Sequence, residues 1–293
     1  MLGVGDDCAL LSARAGFEIA VTTDMLIEGR HFRPGADARA LGHKALAVNL
    51  SDLAATGASP RWATLAIALP AADESWLEAF SQGLFALADR YGIDLVGGDT
   101  TRGPLLVINI TALGEVPAGT ALRRSGARPG DDIWVSGELG GAALALVQPE
   151  IGEAAKRLHE PEPRVALGER LRTLAHAAID VSDGLTGDLA HILERSRVGA
   201  VVHYQQLPRA PAFKHIKNVE LEKRCVLSGG DDYELLFTAP QSRRAHIESV
   251  GKELRLPLSR IGSIRSGAAS LEVLDADGKP MHYRGGFDHF AAP

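Results

Sequence analysis

Aspartates recur where the apolar, strand-like runs of this chain end, and this placement constrains both its fold and its chemistry. They are Asp6, Asp7, Asp24, Asp52, Asp99, Asp180, Asp183, Asp188, Asp231 and Asp232. Carboxylates at the ends of several strands can meet at one place. Two of them about 4 Å apart would repel by ~4 kcal/mol at an effective dielectric of 20. Such a group needs cations, and hard oxygen ligands favour Mg²⁺ or Ca²⁺.

Composition excludes several classes of protein. The net charge is −6 and none of the 31 basic residues form a run, which argues against nucleic-acid binding. No apolar stretch reaches membrane-spanning length, and the start MLGVGDD lacks the regions of a signal peptide. Cys8 and Cys225 lie far apart without CxxC spacing, so neither a zinc site nor a disulfide is indicated. We therefore expect a cytoplasmic protein that binds neither nucleic acid nor membranes.

Strand-like and helix-like segments alternate along the chain, and its length favours two domains. The pattern predicts strands over residues 17–23 and 63–69 and helices over 37–56 and 73–91. A cluster of prolines and glycines places the domain boundary near residue 118, giving domains 1–118 and 119–293. In the second domain we predict a charged linker over 153–163 and a strand over 225–227.

The predicted helix over residues 37–56 carries a polar stripe. Asn49, Asp52 and Thr56 follow 3 and 4 spacing and share one face, with leucines on the opposite side. Such a stripe is usually the solvated face of a surface helix. The surrounding run ALAVNLSDLAATGA is too apolar for a surface helix, which favours a functional Asp52.

Three further motifs combine glycines, hydroxyls and acids. TTD at residues 22–24 offers the hard ligands that Mg²⁺ accepts alongside waters and phosphates. GGDTTRG at 97–103 can present main-chain N–H groups to a phosphate, or it can be a hairpin turn with Arg102 at its tip. SGELGG at 136–141 can cradle a phosphate at a helix N-terminus. It lacks the Lys-Ser/Thr ending of a Walker A loop, so a plain helix entry is favoured.

Eight ordered motifs together resemble the thiamine-monophosphate kinase family, within the superfamily typified by aminoimidazole ribonucleotide synthetase. They are GVGDDCALL, TTDMLIEGRHF, KALAVNLSDLAATGASP, GGDTTRGP, ALRRSGARPGDDIWVSG, IDVSDGLTGDLAHI, LSGGDDYELLF and GGFDHF. The resemblance implies an α+β fold of two domains with mixed sheets flanked by helices. The N-terminal domain would bind ATP and Mg²⁺ and pair its sheet with that of a second subunit in a homodimer. The C-terminal α/β domain would complete the nucleotide and substrate sites.

The resemblance also implies an activity: Mg²⁺-dependent, direct in-line transfer of the γ-phosphoryl group of ATP to thiamine monophosphate, giving thiamine diphosphate without a covalent nucleophile. By motif match, several Mg²⁺ ions would be held by Asp7, Thr22, Thr23, Asp24, Asp52, Asp99, Asp180 and Asp183. ATP would contact Gly98, Asp99, Arg124 and Ser182, and the thiamine pocket would be lined by His31, Asp231 and Phe287. Asp6, Asp188 and Asp232 are assigned as structural neighbours.

Two alternatives stay open. One is another ATP-dependent enzyme of the same superfamily. Selenophosphate synthesis needs a reactive cysteine in an N-terminal glycine-rich loop, and the hydrogenase-maturation dehydratase carries a C-terminal cysteine; neither signature is present. The other alternative is a non-catalytic sensor of nucleotide and Mg²⁺.

Overall fold

A computed structural model describes residues 8–283 and 285–286, and the chain divides into two compact units. Unit 1 comprises Met1–Ala121 and His159–Val165, and unit 2 comprises Leu122–Leu158 and Ala166–Pro293. The sequence predicts one division near residue 118 and gives no sign that residues 159–165 return to unit 1. Hydrogen bonds fix that return, because Nε2 of His43 lies 2.8 Å from the main-chain oxygen of Pro161.

Within residues 8–121, unit 1 consists of a four-stranded sheet and two helices. Its elements are β1 (Phe17–Ile27), α1 (Ala38–Thr56), β2 (Ser59–Leu69), α2 (Glu74–Tyr91), β3 (Asp94–Arg102) and β4 (Val107–Pro117). The strand order is β1-β4-β2-β3. Strand β4 is antiparallel to β1 and β2, whereas β2 is parallel to β3. Helix α2 makes the crossover that this parallel pair requires.

Helix α1 begins one residue after its predicted start and ends at the predicted residue, Thr56. Asp37 accepts a hydrogen bond from the N–H of Ala40 at the start, and Gly57 ends the helix in the left-handed region. Glycines let α2 approach closely: a Cβ on Gly42 would lie 2.0 Å from the main-chain oxygen of Phe80. The helix is buried on most sides, as its apolar sequence predicts, and it packs against β1 and β4. Its position relative to the sheet is therefore fixed.

The described residues of unit 2 form a six-stranded sheet with helices around it. From residue 122 the elements are β5 (Asp132–Ser136), α3 (Gly141–Val147), α4 (Gly152–His159), α5 (Val165–Leu171), β6 (Ala177–Asp180), α6 (Leu185–Ser196), β7 (Gly199–His203), α7 (Val219–Ser228), β8 (Leu235–Ala239), α8 (Arg244–Leu254), β9 (Leu258–Arg265) and β10 (Ser270–Leu274). Short 3₁₀ helices span Tyr204–Gln206, Pro211–His215 and Gln241–Arg243. The strand order is β10-β7-β9-β5-β8-β6, mostly antiparallel, and the mixed sheets agree with the predicted α+β fold.

Two sequence predictions in unit 2 are wrong. Residues 225–227 are not a strand but the end of α7, which Asn218 caps by accepting from the N–H of Leu221. A short apolar run such as CVL fits a buried strand or a buried helix equally well. The predicted linker over 153–163 contains most of α4, because Ala154 and Leu158, four residues apart, are both buried.

None of the helices in the described part of the chain has the length and apolar character needed to cross a membrane.

Candidate functional site

Unit 1 places Asp52 of α1 against strand β1. The hydroxyl of Thr22 donates a hydrogen bond to Oδ2 of Asp52. Asp24 is two residues further along β1, so it lies on the same face of the strand as Thr22. Asn49, one turn before Asp52, is fully buried; its Nδ2 donates to the main-chain oxygen of Ala45 at 3.1 Å, but its Oδ1 has no hydrogen-bond partner. Oxygen atoms that can act as metal ligands therefore lie where α1 packs against β1.

The side chain of Thr23 lies on the opposite face of β1. Its Oγ1 donates to the main-chain oxygen of Ile110 at 3.2 Å, and it accepts from Thr111 at 3.0 Å and from Asn109 at 3.2 Å. Side chains alternate along a strand, so adjacent residues cannot present their hydroxyls to one place. A metal contact from Thr23 on the α1 side would have to use its main-chain oxygen.

The GGDTTRG segment lies within strand β3 through Arg102 rather than in a turn. Of the two alternatives that the sequence leaves open for this segment, the hairpin turn does not hold. Gly98 pairs with Leu65 of β2 at a φ of 153°, and a Cβ there would lie 1.9 Å from the oxygen of Leu65. Asp99 is exposed and pairs with Ala66. The contacts assigned to Gly98 and Asp99 with nucleotide and metal stay predictions.

His31 follows β1 and has a defined tautomer. Its Nδ1 accepts a hydrogen bond from the N–H of Ile27 at 3.0 Å. In the neutral imidazole this leaves the proton on Nε2, which is then a donor. Two other predicted site residues, Asp7 and Phe287, lie outside the described residues.

In unit 2 the IDVSDG and LSGGDDYE motifs are hydrogen-bonded to each other. The N–H of Asp231 donates to the oxygen of Ser182 at 2.9 Å, and the N–H of Tyr233 donates to the oxygen of Val181 at 2.8 Å. The N–H of Val181 donates to the oxygen of Glu234 at 2.8 Å. These bonds bring together the loops that carry four predicted site residues, Asp180, Ser182, Asp183 and Asp231.

Asp188 holds the turn that follows strand β6. It is buried, and its Oδ2 accepts the N–H groups of Ser182 at 3.1 Å and Asp183 at 3.0 Å. Burial, reinforced by the charge of Asp183, raises the pKa of Asp188 to about 7. The positive charge of Arg124, a predicted ATP residue, acts on the same pKa in the opposite direction. Ser196 holds the loop of Arg124, because its Oγ donates to the oxygen of Arg124 at 3.1 Å.

The SGELGG turn is a helix entry, as the sequence favours. Asp232 is buried and its Oδ2 accepts the N–H of Gly140 at 2.8 Å, just before α3. Burial raises the pKa of Asp232 well above its ordinary value. The N–H groups of Gly137 and Leu139 donate to the oxygens of Pro257 and Pro208. These amides are therefore engaged within the protein rather than presented to a phosphate.

The oxygen ligands available in unit 1 suit a hard cation that also takes ligands from phosphates. Over residues 8–283 and 285–286, no group of three or more His, Cys, Asp or Glu side chains is arranged to hold a metal ion. The oxygens of Thr22 and Asp52, with the unpartnered Oδ1 of Asn49 on the adjoining turn, form a smaller set. Mg²⁺ commonly binds one or two carboxylates and takes its other ligands from water and phosphates. The oxygens of Thr22, Asp52 and Asn49 fit this mode of Mg²⁺ binding, in which the protein supplies only some of the ligands.

Comparison with known proteins shows similarity along nearly the whole chain. Residues 5–116 match the family model of the AIR synthase related protein, N-terminal domain, and residues 128–272 match that of its C-terminal domain. Thiamine-monophosphate kinase of Salmonella typhimurium is 46% identical over 303 residues, covering 99% of this chain and 92% of that protein.

Two solved structures are similar as well. The crystal structure of thiamine-monophosphate kinase from Stenotrophomonas maltophilia has a TM-score of 0.89 and 49% identity, covering 96% of this chain and 92% of that one. The structure of AaThiL complexed with AMPPCP and TMP has a TM-score of 0.81 and 32% identity, covering 95% of this chain and 89% of that one.

Replacing Asp188 tests whether its carboxylate holds the turn. Asp188→Ala leaves two part-buried N–H groups without their acceptor, so we expect a loss of about 1–3 kcal/mol in the free energy of unfolding. Hydrogen exchange at the amides of Ser182 and Asp183 should become faster. Asp188→Asn keeps an acceptor oxygen and should lose less. Asp89→Ala, at an exposed aspartate of α2, is the control; unchanged exchange in Asp188→Ala would contradict the role.

Proposed function

The chain belongs to the thiamine-monophosphate kinase family, and from this premise we propose that it phosphorylates thiamine monophosphate to thiamine diphosphate with ATP. The observation that carries the proposal is the 46% identity to an enzyme of that name over 99% of the chain. A structural relative at 32% identity is complexed with AMPPCP, an ATP analogue, and TMP.

The reaction joins two anions. An oxygen of the phosphate of thiamine monophosphate attacks the γ-phosphorus of ATP, the bond from that phosphorus to the β,γ-bridging oxygen breaks, and ADP leaves. Catalysis of this kind depends on positioning and on neutralising charge that spreads over the transferred oxygens. The protein therefore needs fixed loops with charged groups more than it needs a nucleophile.

We propose Mg²⁺ as the cofactor, held in unit 1 by Asp52, Asp24 and the oxygens of Thr22 and Thr23. When bound, Mg²⁺ would neutralise phosphate oxygens. The hydrogen bond between Thr22 and Asp52 supports the assignment, because it fixes a carboxylate of α1 beside a strand that offers further oxygens. The assignments of Asp7 and Asp99 as further ligands rest on the motif resemblance.

In unit 2 we propose that Asp180 and Asp183 are metal ligands and that Ser182 and Arg124 contact ATP. Support comes from the hydrogen bonds by which Asp188 fixes the main chain of Ser182 and Asp183. The ATP contacts proposed for Gly98 and Asp99 of unit 1 rest on the motif resemblance. The assignment of Arg124 rests on the motif resemblance as well. An arginine beside a fixed turn can pair with phosphate oxygens through a planar, permanently charged group.

For the substrate we propose contacts with His31, Asp231 and Phe287. The thiazolium ring of thiamine carries a permanent positive charge, and its pyrimidine carries an amino group. A carboxylate such as that of Asp231 can attract the first or accept a hydrogen bond from the second. The Nε2–H of His31 is a fixed donor. Phe287 would offer an aromatic face for stacking.

We propose a homodimer in which the sheets of unit 1 pair. Helix α1 covers one face of β1, while side chains on the other face are exposed: Ile19 by 41%, Val21 by 62% and Met25 by 51%. Contiguous exposed apolar side chains mark interaction surfaces. A cytoplasmic location is part of the proposal; it accords with free cysteines and with the use of ATP.

The activity is tested with the purified chain, thiamine monophosphate, ATP and Mg²⁺. We expect equimolar thiamine diphosphate and ADP, separated by chromatography, and no product after chelation of the metal. ATP binding without product would indicate the sensor instead. ATP turnover that ignores thiamine monophosphate would indicate another enzyme of the superfamily.

The dimer is tested by sedimentation of Val21→Glu. A charge at this exposed position should be harmless in a monomer but costly in a desolvated interface, so we expect a dimeric wild type and a folded monomeric variant. Leu146→Glu, at an apolar residue of unit 2 that is 46% exposed, is the matched control and should stay dimeric. A monomeric wild type, or equal dissociation of both variants, would contradict the proposal.

A further inference from the structure

The loop of residues 229–234 has an unusual backbone. In the described part of the chain, the non-glycine residues with positive φ are Arg197, Asp231, Tyr233 and Arg255. Arg197 and Arg255 are the C-caps of α6 and α8, where the left-handed region is ordinary. Asp231, at 65°, and Tyr233, at 50°, cap no helix and stand two residues apart. Strain of this kind concentrates at functional sites.

Hydrogen bonds on both sides keep the strained loop in place. The main chain of Asp231 and Tyr233 is bonded to Ser182 and Val181, and the carboxylate of Asp232 is bonded to Gly140. Gly230 allows the approach, because a Cβ there would lie 2.3 Å from the oxygen of Ser182. The backbone of the loop is thus determined by its neighbours.

The strained conformation brings two side chains of the loop together. The hydroxyl of Tyr233 donates a hydrogen bond to Oδ1 of Asp231 at 3.0 Å. Tyr233 is 9% exposed, so packing fixes where its hydroxyl can be. Asp231 is only partly buried and can reach a ligand.

We propose that Tyr233 is a positioning residue that orients the carboxylate of Asp231 toward the cationic, amino-bearing thiamine part of the substrate. The inference rests on the proposed function, in which Asp231 contacts substrate. Tyr233 itself would touch no reacting atom. Its effect should therefore appear in recognition of thiamine monophosphate and not in recognition of ATP.

The test compares Tyr233→Phe with Tyr204→Phe. Tyr204 is a matched control: it is 5% exposed, lies in unit 2 and donates to the carboxylate of Glu222 at 3.3 Å. In Tyr233→Phe we expect KM for thiamine monophosphate to rise about tenfold, as for one lost hydrogen bond to a charged group. KM for ATP should stay as in the wild type, and Tyr204→Phe should change neither constant.

Asp231→Ala probes the same bond from its other end, because it removes the acceptor of the Tyr233 hydroxyl. It should also raise KM for thiamine monophosphate. Adding Tyr233→Phe to it should change KM by less than about twofold, because the two changes remove one interaction. An inactive wild type would overturn the proposed function and this inference with it. An active wild type whose Tyr233→Phe variant keeps its KM, or loses ATP and thiamine monophosphate recognition equally, would overturn this inference alone.

Discussion

Buried carboxylates that accept main-chain N–H groups hold the loops on which the proposed chemistry of unit 2 depends. Asp188 accepts the amides of Ser182 and Asp183, and Asp232 accepts the amide of Gly140. Burial disfavours the charged form and raises the pKa of both acids. The bonds to the amides oppose that effect and fix each loop, which is what transfer between two phosphates requires.

The aspartates of the sequence thus include structural residues and proposed metal ligands, and the two groups have similar sequence contexts. Asp188 and Asp232 are structural, as the sequence analysis assigns them, and their hydrogen bonds show why. Metal contacts are proposed for Asp7, Asp24, Asp52, Asp99, Asp180 and Asp183. Sequence context does not separate the two groups, since Asp183 and Asp188 both stand beside a glycine. Burial does not separate them either, because Asp180 is buried as deeply as Asp188. The structural role of Asp188 and Asp232 is seen in the hydrogen bonds that their carboxylates accept from main-chain N–H groups.

Motifs and caps made much of the fold predictable. Helix α1 lies within one residue of the predicted bounds because Asp37 and Gly57 terminate it by local chemistry. The ordered motifs indicated the family and fold that the comparisons show. In other segments, tertiary contacts determine the secondary structure. The GGDTTR segment is a strand because it pairs with β2. Residues 225–227 have a strand-like sequence but form the buried end of α7. The positive φ of Tyr233 has no signal in the sequence, since loops on either side impose it.

We expect the carboxylates of Asp52 and Asp183 to bind divalent cations together with phosphate. Crystals grown with AMPPCP and Mn²⁺ in place of Mg²⁺ test it directly through an anomalous difference map, because Mn²⁺ accepts the same oxygen ligands. We expect anomalous peaks within coordination distance of Asp52 in unit 1 and of Asp183 in unit 2. Bound AMPPCP with manganese peaks at neither carboxylate would show that Asp52 and Asp183 do not hold the cation.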